Sequence, residues 1–190
     1  PMSSAHDLPM TLFTLHGLAV HLRDRAETVN ERSEAILVTT ERLLTQHLMG
    51  EPIDVGELLT VSELLSAELH TSAKLGDRFR RGARALAVEC GTLLRLPKLV
   101  APERFVKALP TLSDAAATLR RAIPRARLIT IARDLTEALG ALALAATQRP
   151  LNEDDLLPLR SVFARLDGLP QALSGARERL GVALAEIDER

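Results

Sequence analysis

The stretch 46–59, QHLMGEPIDVGELL, decides the fold. Gly50 is a helix stop and Pro52 a helix breaker. Asp54 suits the cap of a new helix, with Glu57 three residues on as its capping-box partner. One helix therefore ends near Met49, another starts at Asp54, and the chain reverses between them. The stretch 144–157, LAATQRPLNEDDLL, has the same grammar. Pro150 closes a helix and Asn152 caps the next. Glu153, Asp154 and Asp155 suit the positive end of that helix's dipole.

Outward from the first turn, apolar residues step by three and four. Before it run Leu12, Leu15, Ala19, Leu22, Ala26, Val29, Ile36 and Leu43, a coiled-coil-like seven-residue repeat interrupted by Ser33 and Thr40. After it run Leu58, Val61, Leu65, Leu69, Phe79, Leu86, Cys90 and Leu93, ending near Leu96 and Pro97. Residues 97–111 carry three prolines and form the linker, with a short helix at 102–109. Ser113 caps a third helix to about Thr147, kinked at Pro124. The fourth presents Leu159, Phe163, Leu166, Leu173, Leu180, Leu184 and Ile187, with Pro158 in its first turns and a kink at Pro170.

The expected fold is all-α, a long antiparallel four-helix bundle of two hairpins, 9–96 and 112–188, behind a flexible tail at 1–8. Helices of this length span roughly 55–60 Å at 1.5 Å per residue. A shift of 98 residues lays Pro52-Ile53-Asp54 on Pro150-Leu151-Asn152 and Leu58-Leu59 on Leu156-Leu157, an internal repeat of hairpins.

Composition agrees. The chain has 190 residues, 46% apolar and 26% charged, with a net charge of −1, so any electrostatic partner must meet a local patch. Four Phe and no Trp or Tyr leave little for bases to stack on, which argues against single-strand nucleic-acid binding. The lone Cys90 forbids an intrachain disulfide and reads as a packing residue. No apolar run suits a membrane span and the N-terminus lacks signal-peptide character, so a cytoplasmic location is expected.

Two basic runs stand out: 74–84, KLGDRFRRGAR, and 120–127, RRAIPRAR. Each nets about +4. Arg78, Arg80, Arg81, Arg84, Arg120, Arg121, Arg125 and Arg127 lie at similar sequence distances from their turns, as do Arg23, Arg25, Arg177 and Arg179. An arginine belt follows. Arg contacts phosphate bidentately and does not deprotonate, so the belt suits nucleic acid bound without regard to sequence, or a small anionic ligand. The plainer alternative is a solvated face paired with Asp24, Glu27, Glu31 and Glu178.

Catalytic constellations are scarce. No Glu has a His three residues on, and the histidines at 6, 16, 21, 47 and 70 share no ligand spacing, so no metal and no cofactor are expected. Glu31-x-x-Glu34 with Asp54-x-x-Glu57 resembles the acidic motifs of all-α nucleotide pyrophosphohydrolases, but helix geometry puts Glu34 and Glu57 some 18 Å apart in height. The segment His70-Thr-Ser-Ala-Lys74-Leu-Gly76 resembles histidine-phosphotransfer domains over perhaps 25 residues. That resemblance implies a phosphate-accepting His70 and a neutralising Lys74. Lys and Gly follow at four and six positions, where the family has three and four. The sequence therefore points to a non-enzymatic interaction or scaffold protein, partnering another protein or itself as a dimer, with the arginine belt as working surface.

Overall fold

The computed structural model describes residues 7–52, 54–95, 103–122, 125–167 and 169–188. Among these the chain is all-helical: α1 (Asp7–Leu48), α2 (Val55–Leu94), α3 (Glu103–Ala122), α4 (Arg125–Gln148), a 3₁₀ turn (Glu153–Leu156), α5 (Leu157–Leu166) and α6 (Leu169–Asp188). They gather into two compact units. The first draws on Pro1–Asp24, Lys74–Arg125 and Leu169–Arg190, the second on Arg25–Ala73 and Ala126–Gly168.

In the second unit the opening turn forms as its residues require. Gly50 takes a left-handed φ of 83°, which releases the Glu51 N–H to donate to the Gln46 carbonyl at 2.9 Å. Asp54 Oδ1 accepts from the Glu57 N–H at 3.2 Å. The Glu57 carboxylate turns instead to Arg42 at 2.6 Å, across the hairpin. Further along, Arg32 donates to the Leu64 carbonyl and Arg25 to Glu68. Partners thus descend one helix as they climb the other, the mark of an antiparallel pair. Ser33 and Thr40 lie buried in the seam, and their hydroxyls donate to the carbonyls of Val29 and Ile36 at 2.7 Å. Returning the polar group to the preceding turn lets the buried stripe run through both positions.

The second turn carries the capping box on Asn152, whose side chain accepts from Asp155 N while Asp155 accepts from Asn152 N. Arg149 braces the same carboxylate, Nη1 donating at 2.9 Å. Asp134 receives Arg165 at 2.7 Å, tying α4 to α5.

In the first unit α3 packs on α6. Arg179 of α6 donates to Asp114 at 3.1 Å and to Thr118 at 2.9 Å on α3. α1 and α2 approach closely at Gly82, where an added Cβ would stand 2.9 Å from Leu15 Cδ2. The core holds Leu12, Leu15, Phe79, Leu86, Leu109, Leu112 and Leu180, all essentially without solvent contact. Each such side chain contributes about 1.5–3 kcal/mol by leaving water.

Three expectations need correction. The linker is shorter than residues 97–111: α3 starts at Glu103 and Ser113 lies inside it, not at a cap. Pro110 sits within α3 despite a local cost of about 3 kcal/mol. It is exposed, while Phe105, Ala108 and Leu109 before it and Leu112, Ala115 and Ala116 after it are buried, so the packed face outweighs the lost bond. Pro170 does not kink a continuous helix. α5 ends at Leu166 and Pro170 lies in the first turn of a separate α6, where a missing N–H leaves no bond unmade. The kink at Pro124 and nearly all of the tail at 1–8 lie outside the described residues.

Candidate anion-binding site

Packing decides where the α2 arginines point. Gly76, Phe79, Ala83 and Leu86 are buried, so the intervening positions face out. Asp77, Arg80, Arg81 and Arg84 follow at helical spacing and share one side of the helix. On α3, Arg120 is exposed at the edge of the face that buries Leu112, Ala115 and Ala116. Arg80, Arg81, Arg84 and Arg120 together line one recess of about 450 Å³ in the first unit. The two basic runs thus meet, one contributing three guanidinium groups and the other one.

Their local neutralisation is thin. Asp77 takes Arg81 at 3.2 Å and Arg80 at 3.8 Å, so two arginines share a single carboxylate. Among the described residues no acidic group forms an ion pair with Arg84 or Arg120. Guanidinium groups stay charged at any ordinary pH and offer paired N–H donors, so the recess can hold a multiply charged anion.

The rest of the belt behaves differently. Arg78 and Arg121 are exposed and do not line the recess. The side chains of Arg125 and Arg127 lie outside the described residues. Arg23 pairs with Asp24 at 2.9 Å, and Arg179 is held by Asp114. Arg25 lies in the second unit, where both Glu68 oxygens take its Nη1 at 2.8 and 2.9 Å. Of the acids expected to neutralise the belt, Asp24 pairs with Arg23. Glu68 and Asp114 escaped a reading that looked for acids at the arginines' own level.

Charge by unit sharpens the picture. The first unit holds sixteen Lys and Arg against ten Asp and Glu, a formal +6. The second holds eight against fifteen, a formal −7. The overall −1 is a cancellation, and the argument from net charge against a strong field does not apply to the first unit.

His70 is exposed in the second unit, with Nδ1 2.8 Å from the Ser66 carbonyl. A carbonyl only accepts, so Nδ1 is the donor in this contact. Lys74 is exposed in the first unit. Asp54 and Glu57 are engaged in the cap and with Arg42, while Glu31 and Glu34 are exposed. Cys90 is fully buried, and burial with nearby Glu89 pushes its pKa up to about 11, so the thiol stays protonated. Hydrogen bonding by Arg149, with the Asn152 N–H, holds the Asp155 carboxyl below its usual range, and Arg165 does the same for Asp134. Among the described residues no group of three or more His, Cys, Asp or Glu could hold a metal, and no helix is long and apolar enough to cross a membrane.

Comparison with known proteins returned no matching family model, no matching curated protein and no matching solved structure.

Proposed function

We propose that the protein is a non-enzymatic, helical interaction protein whose working surface is the arginine recess of the first unit, and that it binds a polyanion there. The observation that carries this is the convergence of Arg80, Arg81, Arg84 and Arg120 on one concavity with a single carboxylate beside them. The formal +6 of that unit supports it, because a field of one sign concentrates anions near the site. A second reading, sequence-independent nucleic-acid binding, draws on Arg78 and Arg121, exposed on the same two helices. Both readings allow a dimer or a protein partner of acidic surface.

The proposed architecture is a long antiparallel four-helix bundle built from two related helical hairpins. Support comes from burial. Positions buried in α2 recur 97 residues on: Leu65 with Val162, Leu69 with Leu166, Ala83 with Leu180, Leu86 with Ala183, Cys90 with Ile187. The same offset relates Leu12 to Leu109, Leu15 to Leu112 and Ala19 to Ala116. At the turns the offset is 98, and the 3₁₀ turn Glu153–Leu156 accounts for the slip. A 3₁₀ turn rotates further per residue, so buried Leu159 follows buried Leu156 by three residues where Ser62 follows Leu58 by four.

The test is fluorescence anisotropy with labelled duplex and single-stranded DNA and RNA at about 50 and about 200 mM salt. Salt-sensitive binding lost in Arg80→Glu/Arg81→Glu/Arg121→Glu is the expected result for nucleic acid. If neither nucleic acids nor smaller polyanions bind at the lower salt, the recess has no anion function and the reading fails.

A further inference from the structure

We infer that the recess between α2 and α3 takes a compact polyphosphate, a ligand carrying at least three clustered phosphate groups, in preference to the extended backbone of a nucleic acid. This rests on the anion-binding reading above and specifies its ligand.

The first argument is charge. Four guanidinium groups face one carboxylate, Asp77, which is already shared by Arg80 and Arg81. The surplus of three positive charges matches a ligand of about three or more negative charges confined to one place.

The second argument is extent. Arg80 to Arg84 covers about one turn, roughly 6 Å along the helix. On the same side of α2 the cluster is bounded by Asp77 on one flank and by exposed, apolar Val88 on the other. A nucleic-acid track needs basic groups strung along the phosphate backbone, and here an acid and a valine interrupt it within a turn. A concave volume of about 450 Å³ instead falls in the ordinary range for small-molecule sites.

The third argument is what is missing around the ligand. The phenylalanines of α2 and α3, Phe79 and Phe105, are both buried. Neither helix thus offers a phenyl ring on which a base could stack.

The chemistry has two natural sources, a short inorganic polyphosphate chain or a phosphorylated polyol. Isothermal titration calorimetry of the full chain distinguishes them, using sodium tripolyphosphate, inositol hexakisphosphate and a short DNA duplex as separate titrants at about 100 mM salt. The expected result is one-to-one binding of one or both small titrants, at least about ten-fold tighter than the duplex. The stronger of the two identifies the source. Arg84→Gln/Arg120→Gln is expected to weaken it at least about ten-fold and Arg133→Gln, an exposed arginine of α4, to leave it unchanged. Helical content and thermal midpoint of each variant confirm that it is folded. Tighter duplex binding through the same arginines would overturn the compact-ligand inference and leave the anion-binding reading standing. Binding undiminished in Arg84→Gln/Arg120→Gln would overturn the assignment to this recess. Binding of none of the three would overturn both.

Discussion

The two units are built from the same kind of helix yet differ in how far their arginines are paired. In the second, Arg25 and Arg32 converge on Glu68, Arg42 meets Glu57, Arg149 meets Asp155, Arg160 meets Glu41 and Arg165 meets Asp134. Each ties one segment to another. In the first, Arg80 and Arg81 share Asp77, and together with Arg84 and Arg120 they line a recess. Each unit also has a recess of similar size. The second unit's, about 460 Å³, is lined largely by Leu44, Leu48, Leu151 and Leu156, and its Arg160 is matched by Glu41. The lesson is that concavity alone says little here. Paired arginines are part of the scaffold, and unpaired ones converging on a recess are a candidate site.

The largest expected effects bear on the cores, where the units should behave alike. Phe79→Ala in the first unit and Leu65→Ala in the second each remove a fully buried side chain. Each should destabilise the protein by about 2–5 kcal/mol in urea denaturation followed by circular dichroism. A cost under about 1 kcal/mol at either site would mean that its burial is misassigned.

The comparison breaks or holds on the charges. Glu68→Gln leaves Arg25 and Arg32 without their partly buried partner and should cost about 1 kcal/mol. Arg84→Gln should cost nothing measurable, or stabilise slightly by relieving repulsion, while weakening polyanion binding about ten-fold. If Arg84→Gln destabilises as much as Glu68→Gln, the recess arginines are scaffold after all.

A pH titration separates the units again. Asp155 and Asp134 have carboxyls held below the ordinary range by Arg149 and Arg165, and both belong to the second unit. A lowered folded pKa means that their stabilisation is fully present above the unfolded value and is lost as pH falls through the folded one. The thermal midpoint should therefore drop on acidification below about pH 4, and less so in Asp155→Asn. An equal drop in that variant would remove Asp155 from the account.

The smallest effect concerns Cys90. With a pKa near 11 and no exposure, it should resist a thiol reagent at neutral pH in the native protein and react after unfolding. Rapid native labelling would show that the first unit opens readily.

How much was legible in the sequence follows physical lines. Local chemistry was readable: Gly50, Asp54 and Asn152 act where their backbone preferences demand. Helix limits set by tertiary packing were not, and α3 runs through Pro110 because its buried face continues on both sides. Small residues were undervalued. Ser62, Ala73, Ala83 and Ala176 line the interior, while Val61, Phe163 and Leu184 are only half-buried. A count of large side chains misses positions where helices approach closely. For the site, both basic runs and their similar distances from the turns were visible, while which of their arginines line a common recess was not. The separation of paired from unpaired arginines was not visible, because it depends on which helix lies beside which.

The most direct test is residue-resolved. Backbone and arginine side-chain N–H resonances can be followed by nuclear magnetic resonance as tripolyphosphate or inositol hexakisphosphate is added. The account predicts saturable shifts concentrated at Arg80, Arg81, Arg84 and Arg120, with Arg25, Arg149 and Arg165 unmoved. Shifts spread evenly over exposed arginines of both units, or no shifts at all, would contradict it.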